Sequence, residues 1–233
     1  MPAALITGAS RGFGLALASE LAARDWDLVV NARGSEALEV AAESLRTLGS
    51  GDVVALVGDV SDIHHLGELS SAASQFSDFR LLVNNASVLG PSPQPNLDVY
   101  PIDTMREVYE VNVLGPLRLI QGCLPALRTS GGVILNITSD AAVEPYEGWG
   151  GYGSSKAALE QLSNVLSAEE PTIRVYWFDP GDMNTQMHQD AFPGEDITDR
   201  PAPETRVPGV LRLLDDLPPS GRYSAAQFLE RIS

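Results

Sequence analysis

The sequence predicts an α/β protein: a doubly wound parallel sheet with helices on both faces, in three α/β/α layers. Three observations point there. Short apolar runs occupy residues 3–7, 28–31, 53–57, 81–84, 133–138 and 173–178. Each is mostly continuous rather than alternating, the pattern of a strand buried on both faces. Helix-length stretches fall between them, near 12–24, 35–48, 63–76, 103–128 and 152–168, and strand–helix–strand repetition builds right-handed βαβ units. The chain has 233 residues, 44% of them hydrophobic. That is enough for one core, and α/β folds reach about 250 residues as one unit. One domain spanning 1–233 is therefore expected.

In chain order, the first run, Ala-Ala-Leu-Ile-Thr, leads straight into a glycine-rich turn, where strand gives way to helix. The runs at 28–31 and 53–57 are built of Leu, Val, Ala and a closing Asn, residues that suit a buried pleat. The run at 81–84 precedes residues 89–101, whose Pro91, Pro93, Pro95 and Pro101 read as a loop. The stretch 103–128 reads as one long helix carrying Pro116. Residues 179–206 are rich in Pro, Gly, Asp and Glu, with Met183, Met187 and Phe192 spaced through them. An insertion this long after a strand is more often functional than a linker, so a substrate lid is placed at 182–206. Gly221-Arg222-Tyr223-Ser224-Ala225 offers a short last strand.

Acidic side chains number 31 and basic ones 15, a formal net charge of −16. This argues against a nucleic acid or an anionic membrane as partner, because phosphates need a basic stripe. No apolar stretch approaches about 18 residues, and the N-terminus lacks the cationic start of a signal segment. A soluble, cytoplasmic protein is expected. Cys123 is the one cysteine; it excludes an intramolecular disulfide and reads as core. The spacing of His64, His65 and His188 suits no metal site. His64 and His65 read as solvated near a helix start. For His188, in the lid, exposure is favoured over substrate contact. Of the 15 basic residues, one is a lysine, Lys156.

Thr7-Gly8-Ala9-Ser10-Arg11-Gly12-Phe13-Gly14 links the first strand to the first helix. Glycines there allow a tight turn and let backbone approach a pyrophosphate, which the helix N-terminus then attracts. A cofactor with a free ribose 2′-hydroxyl usually meets an acidic residue about 20 residues further on. Ala32 and Arg33 stand in that region. An Arg fork binds a 2′-phosphate that a carboxylate would repel, and Arg11 adds a second cation. NADP(H) is therefore favoured over NAD(H). The alternative is that Arg33 is a solvated surface residue.

With further motifs added, the sequence resembles the short-chain dehydrogenase/reductase family, in its compact single-domain, Rossmann-like subtype. The resemblance runs to about residue 185. It rests on the Thr7–Gly14 turn, on Asp59 in Gly58-Asp59-Val60, and on Asn84-Asn85-Ala86. It continues with Asn112, Ser139, Tyr152-Gly-Ser-Ser-Lys156, and Pro180-Gly181 followed by Met183 and Thr185. Where the family usually continues Ala-Gly, this chain has Ala86-Ser87.

The chemistry gives these residues roles. Hydride transfer between a carbinol carbon and a nicotinamide requires a proton to move to or from the oxygen. Tyr is a poor base near neutrality, since its reference pKa is about 10. A close ammonium lowers that value, and residues four apart share a helix face, so Lys156 is expected to lower the pKa of Tyr152. The resemblance makes Tyr152 the general acid/base, gives Lys156 a second task on the nicotinamide ribose, and has Ser139 hold the substrate oxygen. Pro116 lacks an N–H, which frees the carbonyl of Asn112. A simple kink and a water-binding proton relay explain this equally well until the resemblance favours the relay. Asp59 is implied to meet the adenine, with helix capping as its alternative. Val60, Asn85 and Ala86 are implied to line the cofactor cleft, and Thr185 to reach the nicotinamide amide.

The expected activity is NADP(H)-dependent transfer of hydride to or from a small carbonyl or alcohol substrate. A cofactor-sensing binding protein on the same fold is the rival, and the complete Ser139, Tyr152, Lys156 set argues against it. Tyr146, Trp149, Met183, Met187 and Phe192 suggest an apolar pocket, with Glu144 and Glu147 placed to read a polar group. The resemblance also implies a homodimer or homotetramer built through the helices near 103–128 and 152–168.

Overall fold

Extended runs cannot satisfy their own backbone groups and must pair, and here seven of them do. In the computed structural model, which describes residues 1–229, the strands are β1 (Ala3–Thr7), β2 (Asp27–Ala32), β3 (Val53–Val57), β4 (Phe79–Asn84), β5 (Val133–Ile137), β6 (Arg174–Asp179) and β7 (Gly221–Ser224). They form one sheet in the order β3-β2-β1-β4-β5-β6-β7. Every pairing is parallel. The last four residues of the expected 1–233 domain lie outside the described residues.

The helices that cover the sheet are α1 (Gly12–Ala23), α2 (Ser35–Arg46), α3 (Ile63–Ser74), α4 (Ile102–Tyr109), α5 (Gly115–Ser130), α6 (Gly150–Glu169), α7 (Gln186–Ala191), α8 (Val207–Asp216) and α9 (Ala225–Leu229). The two faces alternate residue by residue. In β1, Ala4 and Ile6 join one core with Leu17, Leu38, Tyr176 and Phe178. Ala3 and Leu5 join the other, with Leu69, Phe79, Leu119 and Leu127. Both sets are fully buried, which is why the run is apolar throughout. Strand order reverses between β1 and β4, and that switch point opens a cleft at the carboxyl ends of the strands.

Two expectations need correction. The helix expected at 103–128 is interrupted. A π-helical turn, Glu110–Leu114, separates α4 from α5 and contains Asn112. Pro116 supplies the cause: without an N–H it cannot complete the regular ladder, and the Gly115 N–H reaches back to the Glu110 carbonyl instead. The region expected to form a lid contains α7, and a 3₁₀ turn, Pro203–Arg206, packs against α1. Finally, α8 follows it where no helix was expected. It buries Val207, Val210 and Leu213. The short last strand is present, with Tyr223 opposite Phe178.

Phe178 is fully buried and its ring stacks on Phe13 of α1 at 6.3 Å. Truncation leaves a cavity where the sheet meets the glycine turn. Phe178→Ala should destabilise the protein by about 3–5 kcal/mol in urea unfolding; a loss near zero would contradict this packing.

Candidate active site

At the switch point, Thr7 and Asn85 stitch β1 to the end of β4. The Thr7 hydroxyl accepts from the N–H groups of Asn85 and Ala86, both at 3.0 Å. Asn85 Nδ2 donates to the carbonyls of Thr7 and Gly8 at 2.9 and 3.1 Å. Glycine is required here: a Cβ on Gly14 would stand 2.5 Å from both Asn85 Nδ2 and the Gly8 carbonyl oxygen. Gly8 and Gly12 have φ of +67° and +58°, a region other residues avoid. Arg11 precedes α1 without a side-chain cap, so the first N–H groups of the helix remain available to an anion.

A cavity of about 910 Å³ runs from this turn to the ends of β5 and β6. Gly8, Ser10, Arg11, Gly12 and Phe13 form its first wall, and Arg33, Asp59 and Val60 its far end. Asn85, Ala86, Pro180, Gly181, Met183 and Thr185 line its middle, while Ser139, Tyr152 and Lys156 close it. Gly14 and Asn112 support the wall from behind.

Arg33 is largely exposed and its guanidinium is 3.6 Å from the Asp59 carboxylate. Partial burial works against that carboxylate, but hydrogen bonds from Ser61 and the charge of Arg33 hold it below its ordinary value. The side-chain cap of α3 is Asp62, which accepts from the His64 N–H, so Asp59 remains turned to the cavity. Thr185 caps α7 by accepting from the His188 N–H at 3.3 Å, and its methyl lies across from Gly12.

At the reactive end, Tyr152 and Lys156 share one face of α6. Lys156 is 2% exposed. Its Nζ donates to the Ile137 carbonyl at 2.8 Å and sits 5.6 Å from the Tyr152 ring centroid. Burial pulls its pKa down to about 8, against the opposing charge of Glu160. Burial pushes Tyr152 well above the ordinary phenol value; the Ser139 and Ser87 hydroxyls oppose this, and the Asp179 and Asp140 carboxylates add to it. This corrects the expectation that Lys156 lowers Tyr152. In the protein alone desolvation dominates, and the Lys156 amine is bonded to the Ile137 carbonyl.

The Asn112 side chain is fully hydrogen-bonded. Its Oδ1 accepts from the Ser87 hydroxyl at 3.0 Å and the Val88 N–H at 2.9 Å. Its Nδ2 donates to the Val88 carbonyl at 2.9 Å and to Ser155 Oγ at 3.0 Å. The π-turn thereby ties the loop after β4 to α6. Asn84, deeper in the sheet, donates to Asn136 at 2.7 Å.

Sequence reasoning missed several neighbours. The Ser139 hydroxyl donates to Asp140 at 2.9 Å, and Asp140 also accepts from the Tyr146 hydroxyl at 2.8 Å. Asp140 carried no signal beyond standing beside Ser139. His65 is buried rather than solvated, 2.8 Å from Asn31 Nδ2. The signal was present: positions 65, 66, 69 and 73 form one inward helical stripe. His188 is also half-buried on the cavity wall, 3.7 Å from Asp182 and 4.9 Å from the Phe192 ring. Trp149, Met183 and Met187 line the cavity as expected. Phe192 instead backs Trp149 at 5.7 Å, and Glu144 and Glu147 face solvent outside the wall. Cys123 is core, its thiol pushed up to about 12 by burial. Among the described residues no cluster suits a metal ion, and no helix is long and apolar enough to cross a membrane.

A three-layer parallel α/β sheet with a glycine turn at its switch point and a Ser-Tyr-Lys constellation defines a nicotinamide-dependent oxidoreductase of the short-chain class. Residues 2–196 match the short chain dehydrogenase family, and the chain belongs to it. Sepiapterin reductase of Rattus norvegicus is 34% identical over 197 residues, covering 79% of this chain and 75% of that protein. Benzil reductase ((S)-benzoin forming) of Saccharomyces cerevisiae is 34% identical over 194 residues, covering 80% and 73%. The alcohol dehydrogenase of the archaeon Thermococcus sibiricus, solved with 5-hydroxy-NADP, superposes with a TM-score of 0.84 at 31% identity, covering 96% of this chain and 94% of that one.

The buried lysine has a consequence for stability. The unfolded chain holds its proton up to the ordinary value of 10.5, whereas the folded protein releases it near 8. Between those values the unfolded state binds more protons, so stability rises with pH. Cofactor-free wild type should gain on the order of 2 kcal/mol from pH 8 to pH 10 relative to Lys156→Met. Parallel stability curves for the two proteins would contradict the burial argument.

Proposed function

We propose that the protein is an NADP(H)-dependent oxidoreductase that interconverts a small carbonyl compound and its secondary alcohol. The supporting observation is one cavity that joins the Gly8–Gly14 turn and Arg33 to Ser139, Tyr152 and Lys156. The residues fit the cofactor. Gly8, Gly12 and the uncapped start of α1 suit the pyrophosphate, and Gly181, with φ +71°, lets backbone close over the middle of the cavity. Arg33 suits a 2′-phosphate, and Asp59 beside it keeps the guanidinium aimed into the cleft. Lys156 and Thr185, which line the same cavity, would hold the ribose and the amide of the nicotinamide end.

When bound, the cofactor supplies or accepts the hydride. Ser139 orients the carbonyl oxygen through its hydroxyl, which must then exchange its bond to Asp140 for one to substrate. Tyr152 delivers the proton in reduction and removes it in oxidation. Its raised pKa keeps it protonated near neutrality, the form that reduction requires. Trp149, Met183 and Met187 keep water from that transfer. Asn112 holds Ser155 and the Val88 loop so that α6 presents Tyr152 and Lys156 in register. Self-association through α4, α5 and α6 belongs to the same proposal.

Tyr152→Phe should lower ketone-dependent NADPH oxidation by roughly 10²–10⁴-fold while NADPH still binds with wild-type affinity. Full turnover in this variant would refute the mechanism. Tight NADPH binding by wild type with no oxidation across a broad carbonyl panel would favour the sensor. Arg33→Ala should weaken NADPH by roughly 10- to 100-fold and leave NADH nearly unchanged; equal losses for both would remove the 2′-phosphate assignment.

A further inference from the structure

Behind the reactive residues lies a charge cluster that none of the assignments above uses. Arg222, on β7, is half-buried and reaches three elements. Its Nε donates to Glu160 of α6 at 3.0 Å. Its Nη2 donates to Asp179 at the end of β6 at 3.2 Å and to the Ser139 carbonyl at 3.3 Å. The carboxylates are nearly enclosed, with side chains 12% and 11% exposed. Glu160 also accepts from the Thr138 hydroxyl at 2.7 Å, and Asp179 from the Gly181 N–H at 2.8 Å.

We infer that Arg222 is a positioning residue for the oxidoreductase reaction. It neutralises Glu160 and Asp179 behind the site and fixes the Ser139 backbone, so that these carboxylates do not oppose ionisation of Tyr152 any further. The inference rests on Tyr152 being the acid/base. A buried carboxylate beside a phenol, here Asp179, opposes phenolate formation, and a guanidinium fork can bond it and Glu160 at once. Tyr152 itself faces Asp179, Asp140, Ser139, Ser87 and Lys156, and Lys156 faces Glu160. Of these, Asp179 and Glu160 are the carboxylates that Arg222 compensates. Arg222 does not line the cavity.

The test is the pH dependence of alcohol oxidation with NADP⁺, whose acidic limb reports ionisation of the adjacent Tyr152 and Lys156 pair. Wild-type turnover together with a silent Tyr152→Phe variant establishes the underlying mechanism independently. Arg222→Gln keeps a hydrogen-bond donor but removes the charge, and should move the acidic limb up by about one pH unit or more. Arg222→Lys should keep the limb near its wild-type position. The double variant Asp179→Asn/Arg222→Gln removes an uncompensated carboxylate with the cation, so its limb should return to within a few tenths of wild type. If Arg222→Gln alone fails to fold, Asp179→Asn with Arg222 intact should move the limb down, and an unmoved limb there overturns the inference. A limb unmoved in Arg222→Gln, or one still displaced upward in the double variant, overturns the inference, whatever happens to kcat.

Discussion

The architecture of the site depends on keeping one amine dry. Lys156 is the chain's single lysine, and it is buried under α6 against the Ile137 carbonyl at the end of β5. Burying an ammonium is costly unless it is bonded. Here a backbone carbonyl, the face of Tyr152 and the more distant Glu160 offset that cost in part. The incomplete compensation is what makes the amine readily titratable. A surface lysine would be inert in this respect, and an arginine would not give up its proton at all.

The surrounding structure serves that arrangement. The parallel sheet carries the ends of β1, β4, β5 and β6 to one edge, which places a glycine turn, Asn85, Ser139 and Asp179 around one cleft. The π-turn at Asn112 then links the loop after β4 to α6. Thus the helix bearing Tyr152 and Lys156 is fixed both to the sheet and to the far wall of the cavity. The acidic exterior has little part in this. Positive charge is scarce, and Arg11, Arg33 and Lys156 lie along one track.

The fold was legible because the signals were local and periodic. Unbroken apolar runs marked each central strand, and even the short strand at Gly221 was visible. The site was legible where residue identity carries the chemistry, as at Tyr152 and Lys156. What escaped depended on tertiary context. The π-turn needs the backbone register around Pro116, not its presence alone. α8 is short and follows a stretch that reads as loop. His65 was missed because a histidine near a helix start looks solvated, whereas its partner Asn31 comes from β2, far away in the chain. The direction of the Tyr152 shift depended on how deeply the pair is buried, which spacing along a helix does not reveal.

Because the chain has one lysine, its ionisation can be read without assignment. Protein labelled with ¹³C at lysine Cε should give a single resonance, whose titration in the cofactor-free state tests the dry-amine account directly. That account predicts a midpoint near the lowered value of about 8. A midpoint at the ordinary lysine value of 10.5 would mean that the amine is hydrated, and the account of the site built on its burial would fail.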